Sequence, residues 1–181
     1  DYQHPTELLR DADIAMYQAK EKGRNCFALF TQEMRQAVAQ RLAIEHDLRR
    51  AISEQEFELY YQPILDLQTG QLTGFEALIR WQHPTWGLLS PGSFIAIAED
   101  TGLIIPIGWW VLETACRQAQ AWQREMPEGT DLSISINVSA VQLQKPDFLD
   151  RVDRILAATM LPANSLVLEI TESLLIDDIG H

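Results

Sequence analysis

The residues of this chain best placed to do chemistry are polar groups set inside apolar, alternating runs. In Gly74-Phe75-Glu76-Ala77-Leu78-Ile79-Arg80-Trp81, alternation puts Phe75, Ala77, Ile79 and Trp81 on one face of a strand. Glu76, Leu78 and Arg80 fall on the other. Four residues of extended chain separate Glu76 from Arg80 by roughly 13 Å, too far for direct neutralisation. Each calls for another partner, and a metal for Glu76 and a phosphate for Arg80 are the natural candidates. Residues 132–138 alternate in the same way, with Ser133, Ser135 and Asn137 opposite the apolar positions and Asn137 at the carboxyl end. In residues 166–171, Val167, Glu169 and Thr171 stand opposite Leu166, Leu168 and Ile170. Two carboxylates and an amide form an oxygen-only donor set, which suits Mg²⁺ or Mn²⁺ rather than zinc. Spacing alone leaves open an ion pair for either glutamate and a strand-end hydrogen bond for Asn137.

The elements that must carry these groups follow from periodicity and punctuation. Pro5-Thr6 opens an amphipathic helical pattern (Leu8, Leu9, Ala12, Ala15, Met16, Ala19) that Gly23 closes. Residues 26–30 read as a short apolar strand, and 31–53 as a second, heavily charged helix. Strand signals begin at Phe57, so the domain boundary is expected near residue 50. Strands at 57–62 and 71–81, joined by a turn at Gln68-Thr69-Gly70, form an antiparallel pair. Helices are expected at 91–99, 109–125 and 147–158, the last with Asp147 as its cap, between strands at 132–138 and 166–171. That alternation points to βα units around a parallel sheet, with sites at the carboxyl ends of its strands.

Composition narrows the function classes. A hydrophobic content of 46% with five Trp and six Phe supports a folded core rather than disorder. The net charge of −12 argues against a duplex or RNA backbone as partner, because such binding relies on Lys and Arg. Bound divalent cations can still reverse the local field for an anionic substrate. Cys26 and Cys116, without a metal-binding spacing, read as two buried free thiols of a reducing, cytoplasmic protein. No apolar run approaches the roughly 20 residues of a membrane span. The absence of an initial Met and the stop just after a strand-like segment read as the ends of a piece. Attachment to the inner membrane is therefore left to sequence upstream. Trp109-Trp110 is expected to pack against the sheet, and His46 and His83 to take surface or capping roles. Tyr60 and Tyr61 lie on opposite faces of their strand, so at most one should face a pocket.

Taken in order, Tyr60-Tyr61-Gln62-Pro63, Glu76-Ala77-Leu78-Ile79-Arg80-Trp81, His83-Pro84, Ala98-Glu99-Asp100-Thr101-Gly102, Asn137-Val138-Ser139-Ala140 and Glu169-Ile170-Thr171-Glu172-Ser173 resemble an EAL domain. The resemblance runs from about residue 50 to the end. Residues 1–30, through Ala12-Asp13-Ile14-Ala15-Met16-Tyr17-Gln18-Ala19-Lys20 and Gly23-Arg24-Asn25, resemble the closing piece of a GGDEF domain, with 31–50 as a connector helix. The resemblance implies an α/β fold, a partial (β/α)₈ TIM-like barrel whose first strand is antiparallel. A helix and short strand of the GGDEF domain would precede it. It further implies a bacterial phosphodiesterase that hydrolyses cyclic di-GMP to linear pGpG with two divalent cations. By the same resemblance Glu76, Asn137 and Glu169 are metal ligands, Arg80 contacts substrate phosphate, Gln62 lies in the substrate pocket, and Glu172 supports a catalytic loop. A homodimer through the EAL domain is expected of the intact protein.

Lys20 and Arg24 match phosphate-contacting residues of cyclases; equally, two cations at a helix end meet its dipole. The family's Asp-Asp-Phe-Gly segment, catalytic lysine and later glutamates are absent from these 181 residues. Asp177-Asp178 follows Glu169 too closely to be that pair and reads as an acidic opening of the next connection. This chain alone is therefore expected to lack phosphodiesterase activity. A catalytically silent EAL module that binds cyclic di-GMP as a receptor or regulatory partner is the competing reading, and a cyclase with a vestigial EAL domain is a third.

Overall fold

The computed structural model describes residues 4–21, 23, 25–126 and 132–170. The chain divides into two compact units, Asp1–Asp47 and Leu48–His181. In the first, helix α1 (Pro5–Glu21) and most of helix α2 (Gln32–Ser53) follow the expected spans. Asp11 is 1% exposed and holds Arg35 through both carboxylate oxygens, Nε at 3.1 Å and Nη2 closer still. A buried carboxylate needs that bidentate partner. Gly23, at φ +103°, donates its N–H to the Lys20 carbonyl, which ends the helix as expected.

Two expectations for this unit fail. Residues 26–30 form no strand; a strand exists through its ladder, and no described residue pairs with this segment. Phe27 and Leu29 are exposed instead. Cys26 is exposed too, with its thiol donating to the Ala19 carbonyl at 3.2 Å, whereas Cys116 is buried.

The second unit is a mixed sheet covered by helices. Strands β1 (Phe57–Leu65) and β2 (Leu72–His83) are antiparallel, with β3 (Gly87–Leu89) folded back on the end of β2. Strands β4 (Ser133–Val138) and β5 (Leu166–Ile170) then add in parallel, in the order β1-β2-β4-β5. An antiparallel first strand followed by parallel ones is the arrangement expected of a partial barrel. The β1–β2 turn is closed by Asp66. Its Oδ1 accepts from the N–H of Gln68 and Thr69 and from the Thr69 hydroxyl, which holds the carboxyl below its usual range.

Helices α3 (Ile95–Asp100), α4 (Ile104–Glu125), α5 (Ala140–Leu143) and α6 (Phe148–Thr159) complete the unit. Helix α4 starts five residues earlier than the sequence suggests. Pro106 falls in its first turn, where a missing N–H costs nothing. Residues 91–93 form a separate 3₁₀ turn ahead of α3. Asp147 occupies the N-cap of α6 but its side chain makes no capping bond. The core centres on Trp81, which has no exposed surface and packs against Phe57 at 5.8 Å and Phe94 at 5.6 Å between ring centroids. Its indole N–H donates to Glu56 at 2.9 Å, so burial leaves no orphan polar group. Trp110 packs on Phe57 of β1, as expected, whereas Trp109 packs on Phe148 of helix α6.

Gly74 is where β2 and β4 meet most closely. A Cβ there would lie 2.5 Å from the Ser133 carbonyl oxygen, a backbone atom that cannot swing away. Gly74→Ala should therefore lower stability by about 1–3 kcal/mol, read from urea unfolding. An unchanged midpoint would show that the strands can separate freely at this point.

Candidate active site

Strand register decides which polar side chains share a face. Gln62 stands directly opposite Glu76 across the β1–β2 pair, and Glu58 opposite Arg80. Across β2–β4, Glu76 is level with Ser135, which puts Asn137 two residues further along on the same face. Asn137 is in turn level with Glu169 across β4–β5. Residues 62, 76, 80, 137 and 169 therefore occupy one face of the sheet, while Ala77, Ile79, Trp81, Ile134, Ile136 and Val138 are buried on the other.

Glu76 is half-buried and accepts a hydrogen bond from the Asn137 amide at 2.7 Å. The bond ties two neighbouring strands at the end where β4 stops. Glu169 is half-buried, and Asn137 and Gln62 are exposed. Arg80 is half-buried, with Nη1 donating to the Ile79 carbonyl at 2.8 Å and the guanidinium lying 5.4 Å from the Tyr60 ring centroid. The quadrupole of the Tyr60 ring attracts the cation, and among the described residues no carboxylate forms an ion pair with it. Lys20 is exposed in the last turn of α1, in the other unit. Arg24 and Glu172 lie outside the described residues, as does Asp177-Asp178.

The donor set fits a hard divalent cation. Carboxylates on β2 and β5 flank an amide on β4, on strands spaced about 4.8 Å apart. For Asn137 to ligate through oxygen, its amide must turn so that Oδ1 takes the place Nδ2 now holds beside Glu76. Among the described residues no three His, Cys, Asp or Glu side chains cluster closely enough to hold a metal by themselves.

Beside Asn137 a cavity of about 440 Å³ opens between the sheet and helices α3, α4 and α5. Pro91, Ile95, Ile107 and Gly108 supply apolar walls, and Glu99, Asn137, Ser139 and Gln142 are its polar members. Gln142 is 2% exposed; its Oε1 accepts the Ser139 N–H, while Nε2 makes no hydrogen bond among the described residues. Sequence reasoning missed Gln142 and helix α5. The Ser-x-x-Gln spacing of a capping box, which Ser139 and Gln142 form, was the signal for both. His83 was placed at the surface or in a capping role: it is 2% exposed, and its Nδ1 accepts from the N–H of Thr85 and Trp86.

These features coincide with a known family. The EAL domain family model matches residues 45–181, and the chain belongs to that family. It is 42% identical over 174 residues to the bifunctional diguanylate cyclase/cyclic di-GMP phosphodiesterase MucR of Pseudomonas aeruginosa, covering 96% of this chain and 25% of that protein. The structure resembles the PaMucR phosphodiesterase solved in complex with c-di-GMP, with a TM-score of 0.70 and 41% identity over 76% of this chain and 55% of that one. It also resembles the EAL enzyme Bd1971 in its cAMP- and cyclic-di-GMP-bound form, with a TM-score of 0.70 and 31% identity over 95% and 45% of the two chains. The chain is thus homologous to cyclic di-GMP phosphodiesterases. It spans 20–28% of the length of the curated relatives it matches. Among the described residues no helix is long and apolar enough to cross a membrane.

Glu99 supplies a pH prediction. Burial, followed by the neighbouring Asp100 charge, raises its carboxyl above the usual value. The folded state therefore holds this proton more tightly than the unfolded chain does. Its contribution is fully present below the unfolded pKa and is lost as pH rises through the folded one. Glu99→Gln should raise Tm near pH 7 and leave it unchanged near pH 4, measured by circular dichroism at both. A lower Tm for the variant near pH 7 would reverse the assignment.

Proposed function

We propose that this chain contributes the first strands of a cyclic di-GMP phosphodiesterase site, in which one phosphodiester bond is hydrolysed to give linear pGpG. The observation that carries the reading is the shared face of Glu76, Asn137 and Glu169, on three adjacent strands with Arg80 beyond them, within the span of the EAL match. The c-di-GMP complex of PaMucR supports the choice of substrate.

Glu76, Asn137 and Glu169 are the residues that would hold divalent cations, Mg²⁺ or Mn²⁺. When bound, such ions supply Lewis-acid activation of water and offset the phosphate charge. They also account for an anionic dinucleotide on a chain of net charge −12. Arg80 takes a phosphate oxygen, and its hold on Ile79 and Tyr60 fixes it before substrate arrives. Gln62, opposite Glu76, offers an amide to the substrate from the other side. Hydrolysis to pGpG breaks the bond from phosphorus to the 3′ oxygen, which leaves with a proton, and the 5′ ester survives. The Glu172 of the family's loop-supporting position would act from just past β5.

In the same reading, residues 1–30 close a GGDEF domain, with Lys20 and Arg24 near its nucleotide phosphates, and 31–50 connect the two. The alignment with MucR, a bifunctional cyclase and phosphodiesterase, over 96% of this chain supports that division.

In the longest gene product that carries this sequence, Glu76→Ala should reduce kcat by roughly a hundredfold or more. Arg80→Ala should mainly raise KM, by roughly tenfold or more, as expected for loss of a charge-assisted hydrogen bond. Chromatographic assay of pGpG release checks both. A Glu76→Ala protein that turns over at the parent rate would overturn the proposal. The 181 residues alone should show no turnover. Tight binding of cyclic di-GMP by the longest product, without cleavage at any divalent cation concentration, would favour the receptor reading.

A further inference from the structure

We infer that Tyr60 is the stacking platform for a nucleobase of the bound dinucleotide; the inference rests on the cyclic di-GMP reading above. Tyr60 and Tyr61 are neighbours with opposite fates. Tyr61 turns to the helix side and packs edge-on against Trp122 at 4.8 Å, where burial pushes its hydroxyl up to about 12. Tyr60 is level with Leu78 across the β1–β2 pair and so shares the face of Gln62, Glu76 and Arg80. There its side chain is 46% exposed. A large ring left this open contributes little to a core, and its surroundings are the groups assigned to phosphate and cation.

The Arg80 guanidinium lies 5.4 Å from the Tyr60 ring centroid. Base and phosphate of a nucleotide are joined through a single sugar, so the groups that receive them must be close neighbours. Tyr60 and Arg80 meet that condition. A purine offers a flat π-face to the ring, and stacking of that kind is insensitive to which hydrogen-bonding groups the base carries. Tyr60 therefore adds affinity, while base identity is read elsewhere. Leu78, half-buried and level with Tyr60, gives the same base an apolar edge.

The test uses the longest gene product carrying this sequence, with cyclic di-GMP as ligand and divalent cations removed by a chelator so that the ligand is not cleaved, by calorimetry and by proton NMR of the ligand. Tyr60→Phe keeps the ring and should bind within about twofold of the parent. Tyr60→Leu keeps apolar bulk without the π-face and should weaken binding roughly tenfold or more. The guanine H8 resonance should shift upfield on binding to the parent and to Tyr60→Phe, and this ring-current shift should shrink in Tyr60→Leu. Should Tyr60→Leu fail to fold, Tyr60→Trp serves in its place and should bind at least as tightly as the parent. Parent-like affinity in Tyr60→Leu, an H8 shift that survives that substitution, equal losses in the Phe and Leu variants, or weaker binding by Tyr60→Trp would each overturn the inference and leave the phosphodiesterase reading standing. Failure of the parent to bind cyclic di-GMP would overturn both.

Discussion

Strand β2 is bonded on both edges, antiparallel to β1 and parallel to β4, and the site depends on that double commitment. With partners on each side it cannot slip by one residue without turning Trp81 out of the core and Glu76 into it. The cost of exposing Trp81, wholly buried among Phe57, Phe94 and His83, is what fixes the register. The position of Glu76 is therefore set from the opposite face of the sheet. Gly74 adds a steric condition, because β4 can approach closely enough to bring Asn137 beside Glu76 only where β2 lacks a side chain.

Division of labour between the two faces follows from this arrangement. The helix side is apolar, with α4 laid across the sheet and Tyr61 and Phe75 gathered on Trp122. The other side carries carboxylates, amides and one guanidinium that the interior could not accept without partners. Polar groups that would destabilise a core are tolerated there because they keep access to water, with Glu76 and Asn137 also bonded to each other. The Glu76–Asn137 bond holds two prospective ligands in place, at the small cost of turning the Asn137 amide when oxygen is required instead.

Much of this was legible in the sequence because period-two alternation reports faces directly. Residues 76, 137 and 169 could be assigned to the polar side of their strands from neighbours alone, and the β1–β2 turn from Gln68-Thr69-Gly70. What the sequence did not show depends on contacts distant in the chain. The strand expected at 26–30 has apolar residues of the right kind, but pairing needs a neighbour that local pattern cannot supply. Burial of His83 arises from Trp81 and Trp86 closing around it, and Nδ1 then serves the turn that β3 requires. The early start of α4 was hidden by Pro106, which reads as a breaker in mid-helix and as harmless in a first turn. Gln142 was overlooked because the Ser-x-x-Gln spacing at Ser139 was not read as a capping box, and the short helix α5 was missed with it.

The unequal surroundings of the two cysteines carry a practical consequence. Burial raises the Cys116 thiol to about 11, so near neutrality it is neither ionised nor reachable. Cys26 lies open in the other unit. Maleimide dyes or spin labels should thus mark the native chain at one defined point, far in sequence from Glu76, Asn137 and Glu169, giving spectroscopy a reporter without engineering.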